Sequence, residues 1–238
     1  MKYHQLTRLF TNESLRNEQI CITNPLDLNY LSNVMRKKPG QRLLAFNQRD
    51  GEYLIEITEI SNKKSLCKII EKIRDYTEEL EINLIFAPIK NSRIDYLLEK
   101  ATELGATKLT PILTKHTVVD KINIHKWNIY VKEASEQCGR LSLPNISTLE
   151  SLNNFLSNWP ENQQIILCNE KEKNLSLSQQ LKTPHNAYNI MIGPEGGFSE
   201  EELDLLLSKS YITSVHLGPR ILRAETAALF ALSLVSSN

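Results

Sequence analysis

The sequence has little of what membrane, secreted or metal-binding proteins need. No apolar run approaches the ~20 residues that cross a bilayer, and the first residues lack the apolar segment of a secretory signal. The four cysteines, Cys21, Cys67, Cys138 and Cys168, have neither metal-ligand nor redox spacing. We therefore expect buried, reduced thiols, no bound metal, no membrane contact and a cytoplasmic location.

Net charge is also absent, because 28 Lys and Arg balance 28 Asp and Glu. The charges are nevertheless unevenly distributed, since residues 1–75 hold 13 basic and 9 acidic side chains. A polyanion is therefore expected to meet the N-terminal part first. Internal repeats and low-complexity tracts are missing too, and the 238 residues have room for one large or two smaller domains.

The first 75 residues have the pattern of a β-rich domain. Short runs of β-branched and aromatic residues occupy positions 41–46, 52–58 and 66–70. Asp50-Gly51, between the first two runs, favours a hairpin turn. A short helical pattern over 25–37 ends before Pro39-Gly40. We predict a small barrel or curled sheet over residues 1–75, with the domain boundary in the charged stretch 71–81.

From residue 76 to 238, predicted strands and helices alternate. The strands lie at 82–87, 108–114, 164–168, 188–192 and 215–217, and the helices near 92–105, 127–138, 200–209 and 225–235. Ser199 and Glu202 form a capping-box pattern before the third helix. Pro111 suggests that its strand lies at a sheet edge or contains a bulge. The alternation predicts an α/β domain with a mostly parallel sheet covered on both faces.

A glycine-rich phrase, Ile-Gly-Pro-Glu-Gly-Gly-Phe-Ser, follows the fourth of these strands at 192–199. Gly193 begins the exit from the strand, and Gly196 and Gly197 let the backbone approach a neighbour closely. The phrase matches neither the P-loop nor the dinucleotide-binding pattern. It fits a ligand-binding loop, and it fits equally a tight turn before a capped helix, with Glu195 in solvent.

A second phrase, Leu-Gly-Pro-Arg-Ile-Leu-Arg-Ala-Glu-Thr-Ala at 217–227, repeats the Gly-Pro exit at Gly218. Ile221 and Leu222 would be exposed in this loop unless they lined a pocket. Arg223 and Glu225 suit a site for a polar substrate, although a surface ion pair fits them as well. Two such loops, each after a strand, together favour a ligand-binding site.

The two phrases resemble the knot loops of the RsmE family, the 16S ribosomal RNA uridine-N3 methyltransferases of the SPOUT superfamily. Three further blocks match: Tyr-Leu-Ser-Asn-Val-Met-Arg at 30–36, Lys-Ala-Thr-Glu-Leu-Gly at 100–105, and Glu-Ala-Ser-Glu-Gln-Cys-Gly-Arg at 133–140. The resemblance covers nearly the whole chain, in order. It implies a PUA-like RNA-binding β-barrel at 1–75, followed by a SPOUT methyltransferase domain at 76–238 with a deep trefoil knot.

The resemblance also implies a cofactor, a substrate and an assembly. S-adenosylmethionine would bind against three knot loops, the substrate would be a uridine of 16S ribosomal RNA in the small ribosomal subunit, and the active form would be a homodimer. The cofactor-binding residues implied are Leu167, Ile192, Gly193, Gly197, Leu217, Gly218, Ile221, Leu222 and Ala224. The chain departs from the family at Asn29-Tyr30, where the family often has histidine, so any RNA contact there is altered.

Uridine N3 must lose its proton before it can accept a methyl group, so the site needs a base or a stabilising cation. Arg223 is the candidate for stabilising the uracil oxygens. Glu225 would serve as the base or hold Arg223, and Glu195 would serve as the base or hold the cofactor. His216 is another candidate base, although its place at the end of a buried strand fits a core histidine better.

Lys and Arg side chains that contact RNA phosphates supply affinity without reading sequence. The candidates are Arg8, Arg36, Lys37, Lys38, Lys90 and Arg140, and each of them also fits an ordinary surface cation. Two other functions stay open at this point: a knotted methyltransferase acting on another RNA such as tRNA, and a non-catalytic RNA-binding assembly factor. The intact Arg223-x-Glu225-Thr226 phrase counts against the second.

Overall fold

The computed structural model describes residues 3–183 and 186–237. Its contacts divide the chain into two compact units. The first comprises Met1–Glu78 together with Ser135–Ser142, and the second comprises Glu79–Ala134 and Leu143–Asn238. The chain therefore returns briefly to the first unit after it has entered the second.

The first unit contains a five-stranded sheet. Its strands are β1 (Arg8–Phe10), β2 (Gln19–Ile22), β3 (Arg42–Asn47), β4 (Gly51–Ile60) and β5 (Ser65–Arg74). In the order β1-β3-β4-β5-β2, only β1 and β3 pair in parallel. The three runs predicted from sequence are confirmed as β3, β4 and β5, and Leu43, Ile55 and Cys67 from these strands lie in one buried apolar cluster.

The β3–β4 hairpin requires glycine at position 51. The backbone of Gly51 has φ 93°, and a Cβ built there would lie 2.4 Å from the carbonyl oxygen of Arg74. The predicted helix before this hairpin is shorter than expected. It consists of α1 (Pro25–Asn29) and a π-helical turn (Tyr30–Val34), and Arg36, with φ 49°, follows it in the left-handed region.

The second unit is built on one parallel sheet. Its strands are β6 (Glu81–Phe86), β7 (Lys108–Leu113), β8 (Asn145–Ile146), β9 (Glu150–Ser151), β10 (Ile165–Cys168), β11 (Ala187–Ile192) and β12 (Ile212–Val215). The order is β12-β10-β11-β6-β7-β8, and β9 also pairs with β7. All these pairs are parallel, as the alternating pattern predicted.

Six helices accompany the sheet in the described residues: α2 (Asn91–Glu103), α3 (Ile124–Cys138), α4 (Leu152–Asn158), α5 (Leu177–Gln180), α6 (Glu200–Leu207) and α7 (Ala224–Ser236). Apolar clusters occupy both faces of the sheet, because neighbouring strand residues point to opposite sides. Phe86 joins one cluster with residues of α2 and α7, whereas Ile85 joins the other with residues of α4. The prediction of a sheet covered on both faces is confirmed.

The expectation that Pro111 marks a sheet edge or a bulge is wrong, because its strand lies inside the sheet. Strand β7 has neighbours on both sides, with β6 on one and β8 and β9 on the other. Strand β8 pairs with Lys108 and Leu109, and β9 pairs with Ile112 and Leu113. Pro111 lies opposite the gap between them, where its missing N–H leaves no partner unsatisfied.

All four cysteines are free, as expected, but only Cys67 is buried and Cys138 is exposed. Among the residues described, no helix is both long and apolar enough to span a bilayer.

Candidate functional site

Three loops meet at one end of the parallel sheet. They follow β10, β11 and β12, which are adjacent in the order β12-β10-β11, so their carboxyl ends open at the same edge. This edge is where ligands bind in open parallel sheets. The loops enclose a cavity of about 410 Å³, a size typical of small-molecule sites. The lining residues lie in segments 168–171, 192–198 and 217–224, with Leu203 and Ala227.

Eight of the nine residues expected to bind the cofactor line this cavity: Ile192, Gly193, Gly197, Leu217, Gly218, Ile221, Leu222 and Ala224. Leu167 is the exception. It is fully buried in an apolar cluster with Ile85 and Met191. Because side chains alternate along a strand, the next residue, Cys168, faces the cavity instead.

The glycines of the loop after β11 lie close to other side chains of the protein. A Cβ on Gly193 would lie 2.9 Å from the ring of Phe198, and one on Gly196 would lie 3.1 Å from Cβ of His116. Gly197 has φ 69°, and its N–H donates to the carbonyl of Pro194 at 2.9 Å, which closes a tight turn. The close approach expected of this loop therefore exists, but the neighbours are side chains of the same chain.

Gly218 in the loop after β12 is different. No atom lies within 4 Å of a Cβ built there, and its φ of 118° is what favours glycine. The backbone N–H of Gly218 donates to Nδ1 of His216 at 3.1 Å. His216 is half-buried, and its own backbone N–H and carbonyl bond to Leu175 and Leu177. Its ring thus supports the loop, and Nδ1 is an acceptor.

An arginine outside the predicted site residues joins two of the loops. Arg93, in the first turn of α2, donates from Nη1 to both carboxylate oxygens of Glu225 at 2.9 and 3.1 Å. Its Nη2 donates to Oε1 of Glu195 at 3.2 Å. Helix α2 follows β6, the neighbour of β11, so the sheet order brings Arg93 to the loops. The sequence feature that could have indicated Arg93 is its position, as a basic residue shortly after a strand that ends at this edge.

The ion pair determines the protonation of Glu225. Burial acts to raise the pKa of this carboxyl, but hydrogen bonds from Arg93 and from a backbone amide, with the charges of Arg93 and Arg223, lower it below its usual value. Glu225, whose side chain is 11% exposed, is therefore a carboxylate at neutral pH. The hydrogen bond to Glu225 in turn raises the pKa of Arg93. A carboxylate held in this way is a poor proton acceptor.

Arg223 occupies the N-cap position of α7, where its side chain is exposed and lines the cavity. Glu195 also lines the cavity, and its side chain is 25% exposed. Arg223 and Glu195 thus both line the cavity, and Arg93 links Glu195 to the third candidate, Glu225. In the part of the chain that the structure describes, no cluster of His, Cys, Asp or Glu is arranged to hold a metal ion.

Arg8, proposed above as an RNA contact, is a structural residue. Its side chain is only 11% exposed and pairs with Glu52 at 2.6 Å. The guanidinium also donates to the carbonyls of Ser135, Glu136 and Arg140, at and just beyond the carboxyl end of α3. These donors satisfy carbonyls that a helix end leaves without intrahelical partners.

The other proposed RNA contacts differ in exposure. Arg36, Lys38 and Lys90 are exposed, and Lys37 is half-buried. Arg140 is half-buried and donates from Nη2 to Oγ of Ser142 at 3.1 Å. Arg36 and Lys38 follow the π-helical turn in the first unit, next to the exposed apolar side chains of Val34 and Met35.

Comparison with known proteins matches both units. Residues 76–236 match an RNA methyltransferase domain family, and residues 22–71 match an RNA methyltransferase PUA domain family. The ribosomal RNA small subunit methyltransferase E of Rickettsia conorii is 33% identical, over 99% of this chain and 96% of that protein. The protein of the same name from Bacillus subtilis is 30% identical, over 88% of this chain and 87% of that one.

Two solved structures agree with these matches. A methyltransferase structure from Legionella pneumophila, in complex with the bound cofactor SAM, superposes with a TM-score of 0.86 at 29% identity, covering 98% of each chain. A ribosomal RNA small subunit methyltransferase E from Neisseria gonorrhoeae, bound to S-adenosyl methionine, gives 0.85 at 26% identity, again over 98% of each chain. With a PUA-like β domain, a parallel-sheet α/β domain and full-length relatives of one name, this chain belongs to the ribosomal RNA small subunit methyltransferase E family.

Proposed function

We propose that the protein transfers the methyl group of S-adenosylmethionine to N3 of a uridine in 16S ribosomal RNA of the small ribosomal subunit. The observation that carries the proposal is the cavity of about 410 Å³ enclosed by three strand-end loops in a member of this family. Relatives of known structure hold the same methyl donor. The reaction belongs in the cytoplasm, where ribosomal subunits are assembled.

The lining of the cavity suits this donor. Backbone groups of 192–197 and 217–218 would meet the adenine and ribose, with apolar contact from Leu217 and Leu222. Glu170 lies on the lining and would face the cationic amino group. Bound S-adenosylmethionine supplies an electrophilic methyl group. The protein has to align uridine N3 with it and remove the N3 proton.

We assign the proton-handling roles by exposure and partners. Arg223 is exposed on the lining and carries a permanent positive charge, so it stabilises the uracil oxygens as N3 loses its proton. Glu195 binds Arg93 through Oε1, which leaves Oε2 to accept that proton, directly or through one water. Glu225 anchors Arg93 and does not serve as the base.

RNA docking is assigned to the first unit. Arg36, Lys37 and Lys38 form a cationic turn beside exposed Val34 and Met35, a combination suited to phosphates and unstacked bases. Lys90 and the half-buried Arg140 remain candidates for further phosphate contacts. Uridine N3 lies on the pairing edge of the base, so the target base must be unpaired when it enters the cavity.

We also propose that the enzyme is a homodimer with the trefoil knot of its superfamily. Ile221 is 82% exposed beside the cavity, Phe230 on α7 is 43% exposed and Tyr96 on α2 is 51% exposed. Helices α2 and α7 pack against each other, so a second copy could cover these side chains. Sedimentation velocity should show a dimer that Phe230→Asp converts to a monomer, whereas Leu207→Asp on α6 should leave it intact. A monomeric wild type would refute the dimer.

The activity is tested with small ribosomal subunits from a strain lacking this gene. The protein, donor and subunits are incubated together, and the nucleosides are then separated by liquid chromatography with mass detection. We expect one 3-methyluridine per subunit, and Arg223→Ala should remove most of it while the protein still binds donor. Methylation of tRNA but not of subunits would favour the alternative that the protein is a methyltransferase of another RNA. Absence of donor binding by calorimetry would favour the non-catalytic factor.

A further inference from the structure

His116 lies outside the three loops, in the segment that follows β7. Thr114 and Thr117 hold this segment in a turn: the N–H of Thr114 donates to Oγ1 of Thr117 at 2.9 Å, and the N–H of Thr117 donates to the carbonyl of Thr114 at 3.1 Å. Nδ1 of His116 lies 3.0 Å from the carbonyl oxygen of Gly197. A carbonyl can only accept, so Nδ1 carries the hydrogen in this contact.

The same histidine packs directly on the neighbouring glycine. A Cβ at Gly196 would lie 3.1 Å from Cβ of His116, tighter than most real contacts of that kind. The segment is also fixed to the start of α6, because the N–H of Lys115 donates to Oε1 of Glu202 at 2.7 Å. The other oxygen of Glu202 accepts from the N–H of Ser199 in the capping box. The position of His116 is therefore set independently of any ligand.

The turn at 194–197 is thus held at two points by residues outside the loops. Arg93 binds the side chain of Glu195, and His116 contacts Gly196 and bonds to Gly197. Gly196 and Gly197 both line the cavity, and Gly197 has the left-handed backbone conformation that favours glycine.

We infer that His116 is a positioning residue for the methyl donor: it fixes the Gly196-Gly197 backbone in the shape that receives the donor. The inference rests on the proposed function. It explains why this loop needs glycine at 196, since a side chain there would strike the residue that holds the loop. In this role Nδ1 must carry the hydrogen that is donated to Gly197, whereas Nε2 has no such role.

The test compares His116→Asn, His116→Gln and His116→Ala in the full chain. The amide nitrogen of asparagine lies where Nδ1 was, whereas that of glutamine lies near the position of Nε2. We expect alanine and glutamine to weaken S-adenosylmethionine binding by about five- to tenfold, the loss of one hydrogen bond. Asparagine should stay within about twofold of wild type, and KM for the donor should rise more than kcat falls. His125→Ala, at an exposed histidine on α3, is the matched control.

A second comparison tests the packing contact. Gly196→Ala should weaken donor binding in the wild-type background, but should add little to the effect of His116→Gly, because the obstructing side chain is gone. Equal behaviour of asparagine and glutamine, unchanged binding in His116→Ala, or additive effects at 116 and 196 would overturn the inference. Failure of the wild-type protein itself to bind the donor would overturn the proposed function first, which keeps the two results distinct. Thermal melting confirms that each variant is folded.

Discussion

Arg93 connects two carboxylates that are thirty residues apart in the sequence and belong to different loops. Its planar guanidinium can donate to both at once, which the point charge of a lysine cannot do with the same geometry. Glu225 is largely buried, so its charge depends on this partner. Arg93 therefore sets the distance between the loops that enclose the cavity.

We predict that Arg93→Met lowers kcat/KM by at least about tenfold and reduces the melting temperature, because Glu225 loses its cation while still buried, at a cost of about 1–3 kcal/mol. Arg93→Lys should keep more of the stability than of the activity. In the double variant Arg93→Met with Glu225→Gln, stability should partly return because no buried charge is left unpaired, whereas activity should not. Methyltransfer assays and thermal melts measure both quantities. Full recovery of activity in the double variant would contradict this role.

Asp50 is a second residue whose charge is fixed by partners. Its side chain is fully buried, it accepts the N–H of Leu15 at 3.0 Å, and Arg16 and Arg49 pair with it at 2.9 Å. The hydrogen bond from Arg49 is the largest influence, and it lowers the pKa of Asp50 to about 2 against the opposing effect of burial.

A depressed carboxyl pKa stabilises the folded state above the unfolded pKa, and that stability is lost as the pH falls through the folded pKa. Asp50→Asn should therefore lower the free energy of unfolding by about 2 kcal/mol at pH 7. The difference from wild type should shrink between about pH 4 and pH 2. Denaturant titrations at several pH values measure it, with Asp75→Asn, a largely exposed carboxylate, as control. A difference that is independent of pH would mean that the loss comes from packing alone.

At the level of elements, the loop after β11 is shaped by the ring of Phe198 beneath Gly193. A Cβ at Gly193 would meet that ring at 2.9 Å, so the substitution displaces either the ring or the loop. We predict that Gly193→Ala weakens donor binding by about tenfold, and that Phe198→Leu introduced into the same chain restores much of it by removing the ring edge. Gly218→Ala faces open space and should cost only backbone strain, on the order of 1–2 kcal/mol. Calorimetric titration with the donor measures its affinity for the wild type, Gly193→Ala, the double variant with Phe198→Leu, and Gly218→Ala. Failure of Phe198→Leu to compensate would show that the ring is not the obstacle.

Elements whose cause is local could be predicted from sequence. The capping box at Ser199 and Glu202 is present in both directions, because its two hydrogen bonds depend only on residues three apart. The β-branched runs of β3, β4 and β5 were equally readable. Strands β1 and β2 were missed, since three or four residues show too little alternation. Helices α4 and α5, with seven and four residues, were also missed, because they are too short to show a helical period.

The loops of the candidate site could be predicted from the sequence. The side chains that hold those loops in place could not. The loops at 192–198 and 217–224 are marked in the sequence by their Gly-Pro phrases after predicted strands. Arg93 and His116 reach these loops only because β6 pairs with β11 and β7 pairs with β6. Sheet order is not encoded in hydrophobic periodicity, so side chains brought in from neighbouring strands could not be assigned. The side chain of Leu167 points to the face of the sheet opposite to that of Cys168, because neighbouring residues of a strand alternate.

At the scale of the whole molecule, a chain without net charge must attract RNA through local surfaces. The 28 basic and 28 acidic residues cancel over the sequence, and several of the basic ones are already paired within the fold. Affinity for a polyanion then depends on the cations that remain at the surface, and counterion release makes it depend on salt in proportion to their number. The cationic turn at 36–38 is a part of the first unit that fits this requirement.

We therefore predict different effects from substitutions of basic residues in the same unit. Arg36→Gln and Lys37→Gln should each reduce the slope of log K against log salt by about 0.7–0.9, the value for one phosphate contact. Arg8→Gln should leave the slope unchanged and instead lower the melting temperature, because Glu52 is buried and the carbonyls near the end of α3 lose their donor. Fluorescence anisotropy with a labelled fragment of small-subunit RNA over a salt series measures the slopes. A smaller slope in Arg8→Gln, or unchanged slopes in both Arg36→Gln and Lys37→Gln, would place the RNA-binding surface elsewhere.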